Sequence, residues 1–192
     1  MEREFMKKST RNILIGSGII TAGITAVTAF SCNITKKLVK VALDREQPKA
    51  PQKSGNKLSG SAGQSKQFEE EITAASENLK TQICETVEIT SYDGTMLAGH
   101  LKKCENEKRL IIAMHGWRSS WYSDFGTISP FLVENGCSML YAEQRGQGES
   151  GGEYMGFGLT ERYDCLEWVK WANKNGYEDV PIYLCGISMG AS

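Results

Sequence analysis

The residues best equipped for chemistry lie in the final stretch of the sequence, Gly186-Ile187-Ser188-Met189-Gly190, a G-x-S-x-G. The apolar run Ile182 to Cys185 leads straight into it and has the length of a buried strand. Small residues follow, as at the start of a helix packed close to a sheet. A strand, a sharp turn and a helix, with serine at the apex, lift one hydroxyl clear of the sheet as a nucleophile. The turn strains the serine backbone, and side chains two residues before and two after would collide there, which explains Gly186 and Gly190. The N-terminus of the following helix brings partial positive charge to where an oxyanion would form. The plain alternative is a glycine-rich turn carrying a surface serine.

The elements that position this serine are legible upstream. Phe68, Ile72, Ala75, Leu79 and Ile83 recur at helical spacing and predict an amphipathic helix over 67–82, packed on the domain core. Two alternating stretches, 84–91 and 96–103, flank Tyr92-Asp93-Gly94-Thr95 and predict a hairpin. His100 falls in its second strand and reads as a sheet-face residue. Buried strands are then predicted at 110–114 and 138–142. Between them runs a helical stretch to about Asn135 with an internal restart at Ser129-Pro130. A glycine-rich loop covers 143–158. A helix over 160–175 follows, with Thr160 as its cap and Leu159, Tyr163, Leu166, Val169 and Ala172 on its buried face. Alternating strands and helices imply right-handed crossovers and a parallel sheet with helices on both faces. Ligands bind such sheets at the carboxyl ends of the strands, where His115-Gly116-Trp117, the 143–158 loop and Ser188 all fall.

The chain has 192 residues and a formal net charge of −1, so charge offers no case for nucleic acid or acidic partners. Six cysteines without a C-x-x-C, and only two histidines, spell no metal site, and no cofactor is implied. Cys137 and Cys185 read as core residues; Cys84 and Cys104 lie nearly symmetrically about the hairpin turn, where a cross-strand disulfide would form only if the domain is exported and the register allows it. Residues 1–11 are a charged tail. Residues 12–32, uncharged from Ile13 to Phe30, are long enough to cross a bilayer and read as a transmembrane signal anchor. Cleavage after Ala29-Phe30-Ser31, or lipidation of Cys32, is the alternative. Positive charges on the two sides balance; the short tail favours a single-pass membrane protein with its domain outside. Residues 33–66, rich in Pro, Gly, Ser, Gln and Lys from residue 44 onward, read as a flexible linker, and 67–192 as the domain.

One motif is set aside. Gly146-Gln147-Gly148-Glu149-Ser150-Gly151 spells G-x-G-x-x-G after a strand. In a dinucleotide fold the third glycine belongs to the helix that receives the pyrophosphate, whereas here no helix starts before about Gly158. Glu149 and Glu153 would also repel phosphate.

Three stretches in order, residues 111–117, Glu143-Gln144-Arg145-Gly146-Gln147-Gly148-Glu149-Ser150, and 186–190, together resemble the α/β-hydrolase superfamily. More narrowly the chain resembles membrane-anchored bacterial hydrolases akin to the prolyl-oligopeptidase and dienelactone-hydrolase-like groups. Glu143 stands where the pattern usually has Asp. The resemblance covers residues 67–192. It implies the N-terminal part of an α/β-hydrolase fold, an antiparallel hairpin leading into a parallel sheet with flanking helices. It implies Ser188 as nucleophile and the backbone N–H groups of Met189 and Trp117 as oxyanion donors. His115, Gly116 and Arg145 would have structural roles in their loops, and the Trp117 side chain would wall the acyl pocket or simply pack. The activity implied is hydrolysis of carboxylic esters, thioesters or amides, with a small-molecule or peptide substrate. A serine peptidase and a non-catalytic binding module are the alternatives. In this superfamily the acid and the histidine follow the serine in chain order. No residue here follows Ser192, so the sequence reads as truncated and inactive as it stands.

Overall fold

The computed structural model describes residues 28–46 and 62–192, and the chain divides into two compact units, residues 1–42 and 43–192. In the first unit residues 28–42 are helical. Among the described residues no helix is long and apolar enough to cross a membrane. The span expected over 12–32 lies outside the described residues except for residues 28–32. Within the expected linker, residues 33–43 are helical, and residues 47–61 lie outside the described residues.

The second unit is built on a mixed five-stranded sheet with helices on both faces. In chain order the elements are helix α1 (Ala62–Thr81), strands β1 (Glu85–Thr90), β2 (Met96–Lys102) and β3 (Arg109–Met114), and two short helices, α2 (Trp121–Phe125) and α3 (Ser129–Glu134). Strand β4 (Cys137–Ala142), helix α4 (Glu161–Lys174) and strand β5 (Ile182–Gly186) complete the order. The sheet runs β1-β2-β4-β3-β5. The hairpin pairs β1 antiparallel with β2, and β2 pairs antiparallel with β4. From β4 the sheet turns parallel, through β3 to β5. The helical stretch after β3 does restart at Ser129-Pro130, where proline fits the first turn because its missing N–H has no intrahelical acceptor there.

Strand β3 shows why its run is apolar on both sides. Leu110 and Ile112 join a cluster with Leu97, Leu140, Trp168 and Ala172 under α4. Ile111 and Ala113 join another with Leu79, Trp121, Phe125 and Tyr141 under α1 and α2. Each fully buried aliphatic side chain stabilises the fold by roughly 1.5–3 kcal/mol, so the two-sided central strands carry most of the apolar burial. Strand β5 lies at one end of the sheet among the described residues, so its apolar run is covered on one side only and Tyr183 and Leu184 are exposed.

Three further expectations are corrected. Helix α1 buries only its C-terminal part, at Leu79 and Ser76, while Phe68, Ile72 and Ile83 are exposed. On α4 the expected apolar face is rotated. Leu159 and Leu166 are 72% and 54% exposed, whereas Glu161, Asp164, Trp168 and Ala172 face inward. The carboxylates can be inside because each is fully bonded, Glu161 to loop N–H groups and Asp164 to Arg145. Thr160, expected as the cap, makes no side-chain capping bond. The alternative of a Cys84–Cys104 disulfide is not realised: both are free thiols, as are the other four cysteines. Glu85 pairs with Leu101, so Cys84 falls opposite Lys102, two residues short of Cys104.

Candidate active site

Strand β5 ends at Gly186, and Ser188 opens a single 3₁₀ turn, Ser188–Ala191. Ser188 has φ +53°, in the left-handed region, at a cost of roughly 1–2 kcal/mol for a residue with a Cβ. Packing on both sides enforces it. A Cβ on Gly186 would overlap the Gly190 carbonyl, and one on Gly190 would overlap the Met114 carbonyl at the end of β3. The Ile187 N–H donates to that same Met114 carbonyl at 3.1 Å. The bend is thus wedged against the end of β3, and Ser188 is exposed at the carboxyl edge of the sheet while Met189 is buried behind it. The first hydrogen bond of the turn comes from the Gly190 N–H to the Ile187 carbonyl, 2.9 Å. The Met189 N–H precedes it, among the groups a helix start leaves without an intrahelical acceptor.

The loop after β3 lies against this bend. A methyl built on Gly116 would sit 3.4 Å from Ser188 Cβ and 3.2 Å from the Ile187 carbonyl. Asp124 of α2 fixes the loop: Oδ2 accepts the Gly116 N–H at 2.7 Å and Oδ1 accepts the Ser119 hydroxyl at 2.6 Å. Sequence reasoning missed Asp124, which carries no motif and acts only through the fold. Trp117 is 42% exposed beside the bend, with its ring 6.4 Å from that of Phe157.

Both histidines are engaged elsewhere. His115 is buried; its Nε2 accepts the Gln144 N–H at 3.3 Å, which leaves the ring proton on Nδ1 for the Gly116 carbonyl at 3.0 Å. Burial holds its pKa below the ordinary histidine value. His100, in β2, bonds the Glu143 carboxylate at 3.0 Å and stacks on Trp121.

The loop after β4 is fastened by charge. Burial alone would raise the Glu143 pKa, but the bonds from His100 and from the Glu149 N–H outweigh it and hold the carboxyl below its ordinary value. That carboxylate lies against Gly148, so the rejected G-x-G-x-x-G turn closes on an acid of its own chain. Arg145 grips Asp164 through Nε and Nη2, both at 2.6 Å, and Asp93 through Nη1 at 2.8 Å. Its loop is thereby tied to the hairpin turn and to α4, and Arg145 holds Asp93 well below the usual carboxylate range. Arg45, which the sequence shows only as one of several charges near the apolar segment, donates to the carbonyls of Gly148, at 2.7 Å, Ser150, at 2.7 Å, and Gly152, at 3.2 Å. Among the described residues no cluster of His, Cys, Asp and Glu is arranged to hold a metal ion. A cavity of about 460 Å³ opens beside β5, lined in part by Met114, Cys165, Leu184 and Met189.

No protein-family model matches the chain, and no curated protein matches it. Solved structures do. The esterase Pf2001 of Pyrococcus furiosus is 31% identical over 60% of this chain and 46% of its own, with a TM-score of 0.53. DcsB, solved with a substrate analogue, is 20% identical over 56% of this chain and 38% of its own, with a TM-score of 0.50. An α/β-hydrolase of Penicillium, GrgF, is 23% identical over 55% and 38%, with a TM-score of 0.49. Its fold is that of the α/β-hydrolase superfamily. It spans less than half the length of the Pyrococcus esterase it matches. Within the superfamily's fold, the bend at Ser188, the loop at Gly116 and the Arg145 loop meet at one edge of the sheet.

Proposed function

We propose that this chain carries the nucleophile and oxyanion-binding half of a serine hydrolase acting on carboxylic esters, thioesters or amides. The observation that supports it most is the left-handed, exposed Ser188 wedged between Gly186 and Gly190. Its Oγ would bond the substrate carbonyl carbon, the bond to the leaving group would break, and the proton would pass to that group. Water then releases the acid. The N–H groups of Met189 and Trp117 are the assigned oxyanion donors, a type of contact typically worth about 10²–10³ in rate. The likeness to an esterase of known structure supports the same chemistry.

A serine hydroxyl needs a neighbouring base. With His100 held by Glu143 and His115 by Gln144 and Gly116, the base must come from outside residues 1–192. The reading is therefore that the 192-residue chain turns over esters negligibly. We also assign the apolar segment at 12–32 to a membrane anchor, on its length and lack of charge. Labelling of the full-length protein with a fluorophosphonate, against its Ser188→Ala variant, tests the nucleophile: an adduct confined to the unsubstituted protein is expected. Ester turnover by the 192-residue chain that depends on Ser188 would refute the missing base.

A further inference from the structure

Two unusual expenditures converge on one exposed ring. Phe157 has φ +49°, left-handed for a residue with a bulky side chain, an arrangement that persists only where the surroundings enforce it and that clusters at functional sites. The enforcing group is Glu161, only 4% exposed. Its Oε1 accepts the Gly156 N–H at 2.5 Å and its Oε2 accepts the Gly158 N–H at 2.9 Å, one on each side of Phe157. A buried carboxylate is costly unless bonded in this way. Strain and clamp together fix a phenyl ring that is itself 42% exposed, so core packing does not account for them.

The place of that ring points to its use. A Cβ on Gly158 would lie 2.8 Å from Ser192 Cβ, so the Phe157 loop abuts the turn that carries Ser188. From the other side Trp117 meets Phe157 at 6.4 Å between ring centroids, and Trp117 follows Gly116, which touches Ser188. Ile187, next to Ser188, is also exposed. The two rings thus stand together on the side of the bend where Gly116 meets Ser188, with the Arg118 guanidinium 5.2 Å from the Trp117 ring centre. We infer that Trp117 and Phe157 form the platform that receives the acyl group at Ser188, and that the substrates are esters whose acyl group is apolar and longer than acetyl. This inference rests on the reading of Ser188 as nucleophile.

Two measurements separate the inference from that reading, the first on the 192-residue chain and the second on the full-length protein, which supplies the base. The first follows quenching of tryptophan fluorescence by octanoate and by acetate, without any reaction; of the four tryptophans Trp117 is exposed, Trp171 is partly buried against the cluster under α4, and Trp121 and Trp168 are buried. Octanoate is expected to bind more tightly than acetate, to lose about tenfold in Phe157→Gly, and to regain it in Phe157→Tyr. Glycine tolerates the left-handed backbone, so Phe157→Gly keeps the loop, checked by an unlowered thermal midpoint. The second compares ethyl and octyl 4-nitrophenyl phosphonates, which bond phosphorus to Ser188 Oγ and release 4-nitrophenolate, the hydroxyl proton passing to buffer. The octyl-to-ethyl rate ratio should exceed about ten and collapse in Phe157→Gly. Equal octanoate affinity in the chain and in Phe157→Gly overturns the platform, as does a rate ratio near one. Octanoate binding that follows Phe157, with no phosphonate adduct at all, upholds the platform and removes Ser188 as nucleophile.

Discussion

Arg145 and Asp164 meet in two parallel hydrogen bonds of 2.6 Å, joining the loop after β4 to the first turn of α4 with both side chains only 8% exposed. Removing the guanidinium leaves a carboxylate buried without its partner. Arg145→Met is expected to cost about 3–5 kcal/mol in urea denaturation. Arg145→Lys should recover only part of this, because an ammonium cannot make the planar fork.

Gly190 and Gly94 make a controlled pair. A methyl at Gly190 would enter the Met114 carbonyl, whereas nothing lies within 4 Å of one at Gly94, whose φ is +85°. Gly94→Ala should cost only the left-handed penalty, about 1–2 kcal/mol. Gly190→Ala should cost about 1–3 kcal/mol through overpacking at the bend, and should also slow phosphonate labelling at Ser188, which Gly94→Ala should not. Thermal unfolding and labelling rates read the two effects separately.

Arg45 gathers three carbonyls of the glycine-rich loop from more than a hundred residues away in sequence. Hydrogen bonds from a charged donor contribute about 1.5–3 kcal/mol. Arg45→Ala should therefore speed amide hydrogen exchange across 146–152 by roughly tenfold or more, with little change in the β3 and β4 amides. Unchanged exchange in that loop would show that Arg45 does not hold it.

Acid should unfold the chain in two stages of the same sign. Burial holds His115 below its ordinary value of 6.5, so the unfolded chain takes up that proton first and stability begins to fall below about pH 6.5. Glu143 is held below its ordinary 4.5, where the bonds from His100 and the Glu149 N–H overcome the opposing effect of burial. The Arg145 hydrogen bond holds Asp93 below 3.8. Their contributions are full above those values and vanish as pH falls through the lower folded ones. Thermal midpoints measured against pH should show both stages, and His115→Asn should abolish the first alone.

The bend at Ser188 was readable because its requirements are local: two glycines at fixed spacing, an apolar strand before and small residues after. The hairpin and the order of the later strands were readable from alternation and turn residues. The inward face of α4 was not. Leu159, Tyr163 and Leu166 have helical spacing and are exposed, while Glu161 and Asp164 are inside. Periodicity registers polarity, not whether a carboxylate will find Arg145 or two loop N–H groups. Asp124 and Arg45 were illegible for the same reason, since each matters only through partners that folding brings to it.

The central claim is that the strained bend presents one hydroxyl as a nucleophile. Peptide mapping after reaction of the full-length protein, its base included, with a fluorophosphonate tests it most directly. The account predicts a single phosphonylated site, on the peptide containing Ser188, and its loss in Ser188→Ala. An adduct on another residue, or equal modification of the Ser188→Ala chain, would contradict it.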